Sequence, residues 1–169
     1  MDFSTDFGGL DGLASGVINA PELVQRELRA AMNKTVLYLD GVVKERTPTA
    51  YGTLRNSIFN EVNSAPEGLG VEGVVGSSLA YAAYVELGTK PHLPPVAPLI
   101  DWVQKKLGLE EGDAVSAAYA IRATIGKRGT LAVGMFNTGL TAATPKIEQY
   151  FEQAVGNIAA AMLGGEGNA

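Results

Sequence analysis

Two runs of apolar residues at helical spacing, one near each end of the chain, constrain its folding more than any other feature. Val24, Leu28, Ala31, Thr35, Leu39 and Val42 recur at intervals of three and four, which puts them on one face of a helix. Asn19-Ala-Pro-Glu22 supplies a start, with a capping residue, a proline in the first turn and a glutamate three residues on. Thr47-Pro48 supplies a stop, because the residue before a proline is pushed out of the helical region. The spacing therefore predicts a helix over about 20–46, weakened locally by Gly41. At the other end Ile147, Phe151, Val155, Ile158 and Met162 form a second stripe, and Thr144-Pro145 is expected to open it, since proline suits the first helical position.

Between these helices the pattern changes. Tyr51 to Ser57 reads as one helical turn, and Ile58, Val62, Val71, Val74 and Val75 read as two hairpin strands around a breaker at 64–70 rich in Gly and Pro. Leu79 to Leu87 is expected to be a short helix stopped by Gly88, and Leu99, Trp102, Val103 and Leu107 a second one ending at Gly108. Asp113 is expected to cap a third, with Val115, Ala118, Tyr119, Arg122 and Ile125 before Gly126. The sum is an α+β fold: a small, mainly antiparallel sheet packed against two long terminal helices, with a short helical insertion at about 92–128.

A single domain is expected over 19–163, because 169 residues bury roughly 68–70% of the unfolded surface without staples. Residues 1–18 interleave Gly8, Gly9, Gly12 and Gly16 with Phe3, Phe7, Leu10 and Leu13. That composition fits a disordered tail, or an extended arm whose apolar anchors are ordered by a neighbour; the arm is the reading adopted. Residues 164–169 are expected to form a flexible end.

The chemistry on offer is narrow. There is no cysteine and one histidine, so a Cys nucleophile and a Cys/His zinc site are excluded, and any triad would rest on His92. A net charge of −5 argues against a dedicated nucleic-acid binder, although a DNA-conducting lumen tolerates acidity. The longest charge-free run, Gly129 to Pro145, is too short and broken to span a bilayer, so no membrane contact is expected. The N-terminus carries three Asp before any basic residue, the reverse of a signal peptide, which predicts a cytoplasmic protein.

Glu86, Gly88, Thr89 and His92 form the most site-like grouping. Glu and His could make an acid–base pair, but a helix-end carboxylate, a terminating glycine, a turn threonine and a histidine between prolines also make a purely structural corner, and that reading is preferred. Arg122, Lys127 and Arg128 complement a helix C-terminus; the sharper reading is a contact for a partner's acidic rim. Trp102 fits core packing or an interface anchor. No catalytic group, cofactor or metal is expected, and a binding or assembly module is favoured over an enzyme.

Three segments in order resemble the small tail-completion or neck proteins of long-tailed bacteriophages. They are Thr47-Pro48 with Gly52-Thr-Leu54-Arg-Asn-Ser57-Ile58; Tyr81-Ala-Ala-Tyr84-Val-Glu86-Leu-Gly88-Thr89-Lys-Pro-His92; and Ala120-Ile-Arg122 with Lys127-Arg-Gly129-Thr130 and Met135-Phe136. Together they span about residues 22–160. The sequence departs from the family at Tyr51, where a threonine is usual, and at Leu87, where an aromatic is common; residues 1–18 lie outside the resemblance. The resemblance implies a virion structural protein, made in the host cytoplasm and placed in the neck. There a homo-oligomeric ring, a hexamer or alternatively a dodecamer, completes the tail and joins it to the head. Its implied partners are other copies of itself, a head-completion, stopper or adaptor protein, and a tail terminator or tube protein, with DNA passing through the lumen. A tail terminator or a head-closure stopper is the alternative place in the same connector, and a small hydrolytic enzyme centred on Glu86 and His92 the remaining one.

Overall fold

The structure is a computed structural model that describes residues 21–49, 51–64 and 70–164, with side chains through Met162. In chain order the described elements are α1 (Pro21–Arg46), α2 (Thr53–Asn56), β1 (Ile58–Ser64), β2 (Val71–Ser77), α3 (Ala82–Leu87), α4 (Val96–Leu107), α5 (Glu111–Arg128) and α6 (Met135–Gly164). The fold is α+β: β1 and β2 pair antiparallel, and the long first and last helices pack on that sheet. The expected arm at 1–18, with Phe3, Phe7, Leu10 and Leu13, the Asn19 cap and the end at 165–169 lie outside the described residues.

The chain divides into two units, and α1, the hairpin and α6 each contribute to both. One unit holds α1 up to Tyr38, hairpin residues 60–74 and α6 from Ala143. Its core is Val24, Ala31 and Val36 of α1 with Ala143, Ala154 and Ile158 of α6, each larger side chain contributing about 1.5–3 kcal/mol by leaving water. β2 lies directly on α1 at Gly73, where a Cβ would overlap Met32 Sδ and come within 2.7 Å of Val36 Cγ1. Tyr38 and Tyr150 join α1 to α6 edge to face, with ring centroids 6.3 Å apart. The Arg29 guanidinium donates to Ser64 Oγ at 2.8 Å, fixing the end of β1.

The other unit holds the end of α1 from Leu39, hairpin residues outside 60–74, α2 to α5 and α6 up to Ala142. Val43, Leu54, Ile58, Ala82 and Met135 form one core, with Leu39, Val75, Leu79, Val85 and Phe136 packed around it. A second core, Val103 of α4 with Ala114 and Ala118 of α5, builds the helical insertion as a hairpin of two helices. Small alanines on the α5 face allow α4 to approach closely and seat Val103 without exposure.

Several boundaries differ from expectation. α5 starts at Glu111 with Glu110 as its cap residue, and Asp113 lies inside the first turn, where its charge still complements the helix N-terminus. Gly126 does not end α5; it is packed against Leu93, where a Cβ would lie 2.6 Å from Cδ2, and the helix runs on to Arg128. α3 begins at Ala82, three residues later than Leu79. The largest difference is α6, which starts at Met135 and carries Pro145 in its interior. Thr144-Pro145 fails as a start because a buried face at Met135, Gly139 and Ala143 already holds the preceding turns helical. The buried face of α1 also drifts from the expected stripe, so that Val43, rather than Val42, reaches zero exposure.

Candidate functional site

The second motif segment builds a corner. α3 places Ala82 inward and leaves Tyr81 and Tyr84 exposed, while Glu86 is half-buried one turn on. Beyond it the chain runs beside residues 130–134. Thr89 and Thr130 exchange backbone hydrogen bonds of 3.1 and 3.2 Å, Val133 N–H donates to the Val85 carbonyl at 2.9 Å, and Gly134 N–H to that of Glu86 at 3.1 Å. That pairing carries Glu86 to the start of α6, where Oε2 accepts from Phe136 N–H at 2.9 Å and Oε1 from Asn137 N–H at 3.0 Å. A carboxylate across the free N–H groups and positive end of a helix is a strong cap, supplied here from 50 residues away in sequence.

Gly88 and Gly129 make the close backbone approach possible. Both have positive φ, 73° and 75°, with extended ψ, a region essentially reserved for glycine. A Cβ on Gly129 would overlap the Thr89 carbonyl oxygen, and one on Gly88 would sit 2.5 Å from that of Thr130. Thr89 Oγ1 lies 2.9 Å from Thr130 Oγ1 and accepts from Thr130 N–H at 3.1 Å. His92 Nδ1 is 3.0 Å from the Lys90 carbonyl, which can only accept, so that contact places a proton on Nδ1; Thr89 Oγ1 lies 3.3 Å away. Among the described residues no hydrogen bond joins Glu86 to His92. The Arg122 Nε donates to the Pro94 carbonyl at 3.0 Å and thereby ties α5 to the loop before α4, while Lys127 and Arg128 stay exposed at the end of α5.

The first motif segment meets the same corner from the other side. Gly52 turns the chain into α2 with φ 75°, and no side chain caps that helix. Leu54 is buried, and Ser57 Oγ donates to the Leu54 carbonyl at 2.7 Å and lies 2.7 Å from Ser77 Oγ across the base of the hairpin. Thr47 donates to the Val43 carbonyl at 2.7 Å with Met135 Sδ 3.4 Å away. Met135, fully buried against Leu54, Ile58 and Ala82, is thus the point where all three motif segments converge. Chemically the arrangement is a clasp: its carboxylate, hydroxyls and histidine bond backbone groups of their own chain.

A concave surface beside this clasp was not legible in the sequence. A groove of about 420 Å³ is lined by Tyr51, Leu54, Tyr81, Val85, Trp102 and Lys106, among others. Lys105 Nζ stands 4.0 Å over the Tyr51 ring, and Lys106 Nζ donates to the Thr49 carbonyl at 2.7 Å. The sequence offers the aromatic and basic residues but not their meeting, since they come from three separate elements. In the other unit Glu27 is held below the ordinary glutamate value of 4.5, chiefly by the Asn157 amide that donates to its Oε2 at 3.0 Å.

Among the described residues there is no cluster of three or more His, Asp or Glu side chains placed to hold a metal ion, and no helix long and apolar enough to cross a membrane. No family model, curated protein or solved structure matches the chain.

Proposed function

We propose that this chain is a structural subunit of a bacteriophage neck, forming a ring that completes the tail and joins it to the head while leaving a channel for DNA. The observation that carries the reading is how the motif residues divide their work. Glu86, Gly88, Thr89, Gly129 and Met135 hold the corner together from inside. The same two backbone segments turn large apolar side chains outward: Tyr84 is 64% exposed, Leu87 78% and Leu131 93%. Large apolar side chains left this exposed on a rigid support are what a covering chain would bury. In a ring that cover is heterologous, one patch meeting a different patch on the next copy, and the rotation per copy sets closure. Six copies match the symmetry of a tail, with twelve the portal-side alternative. Head-completion and tail proteins lie above and below the ring.

The test is electron microscopy of a lysate from a phage or prophage lacking this gene. Filled heads and separate tails are expected. Tails of abnormal length would move the chain to a terminator role, and normal infectious particles would overturn the proposal.

A further inference from the structure

The groove beside the clasp and the chain's own N-terminal segment are chemically complementary, and we propose that residues 2–13 of one copy occupy the groove of a second copy. The groove is walled by Tyr51, Leu54, Tyr81, Val85 and Trp102, and the only charge among its lining residues is Lys106, with Lys105 beside it over the Tyr51 ring. An apolar floor with a cationic rim fits a ligand that is apolar and acidic in alternation. Residues 2–13 have that composition: Phe3, Phe7, Leu10 and Leu13 are interspersed with Asp2, Asp6 and Asp11, without a lysine or arginine. Four apolar anchors among glycines and aspartates are too few to make a core of their own against the cost of ordering the chain, so their burial calls for another surface. The twenty residues before α1 span at most about 65–70 Å when extended, enough to reach across to a neighbouring copy. Aromatic anchors supply affinity in such contacts, and the carboxylates supply orientation and encounter rate. That the donor is a second copy rests on the ring reading above; the fit of segment to groove does not.

Trp102 is the single tryptophan of the chain and lines the groove, so its emission reads occupancy directly. In the full-length protein, emission is expected to shift to shorter wavelength with rising protein concentration. A full-length Phe3→Ser/Phe7→Ser variant is expected to keep the unshifted emission, and a synthetic peptide of residues 1–18 added to that variant is expected to restore the shift. A peptide with Asp2, Asp6 and Asp11 changed to Asn, tested on the same variant so that its fold is not in question, is expected to bind at least about tenfold more weakly. Lys105→Glu in the variant is expected to act in the same direction. No response to about 1 mM peptide, or equal binding of the charged and neutral peptides, overturns the proposal. A shift in the full-length protein that is independent of concentration overturns the second-copy assignment. A failed titration leaves the ring reading standing, whereas a successful one beside normal particles from the gene-deleted phage overturns the ring reading alone.

Discussion

Glu86 shows how one side chain joins two parts of a fold. Its oxygens take the Phe136 and Asn137 N–H groups, so Glu86→Ala leaves the start of α6 uncapped and should lower unfolding stability by about 1–3 kcal/mol in urea titrations, with Glu86→Gln losing less. Gly129 acts through backbone alone: Gly129→Ala should cost about 1–3 kcal/mol from its φ and ψ, and more from overlap with the Thr89 carbonyl. Glu27 gives a pH signature. Its folded titration lies below 4.5, so the stability it contributes is present above that value and is lost as pH falls below it through the folded value. Asn157→Ala should return the Glu27 titration toward 4.5, as followed by carboxyl NMR, and remove that acid-side loss. The sequence singles out Glu86 as the helix-end carboxylate of a structural corner, preferred over an acid–base pair with His92, but its capping partner is invisible there because no local rule links position 86 to 136.

Among the elements, α1, the hairpin and the α4 end at Gly108 follow from local signals: proline and glutamate in the first turn, β-branched residues on either side of a Gly- and Pro-containing breaker, and a glycine at φ 66°. α6 does not. A helix that begins ten residues before its proline has to leave the Thr141 carbonyl without its usual partner, at a cost of up to about 3 kcal/mol. The extra turns offset this by burying Met135, Gly139 and Ala143 and by meeting the Glu86 cap. Pro145 is exposed, so Pro145→Ala opens no cavity and should raise the melting temperature, corresponding to as much as about 3 kcal/mol, without changing the helix limits. A fall in stability would show that the proline is required by the path of α6.

At the scale of the whole molecule, the neck role proposed above requires a subunit that is stable alone and adhesive in an assembly. The described elements already contain the packed cores, so deleting residues 2–16 is expected to leave a folded protein that fails to enter particles; normal incorporation, scored on purified virions, would remove the arm from assembly. Composition, helical periodicity and turn residues by themselves determined the α+β class, the order of its elements and the lack of a cysteine-based or zinc-finger chemistry, because each of these depends on neighbours within a few positions. Tertiary structure alone decided that the three motif segments close on Met135, that the Glu86 carboxylate caps α6, and that Tyr51, Trp102 and Lys106 share a groove. Those outcomes depend on contacts between residues 50 or more positions apart, whose pairing is set by the packing of the core and by no pattern along the chain.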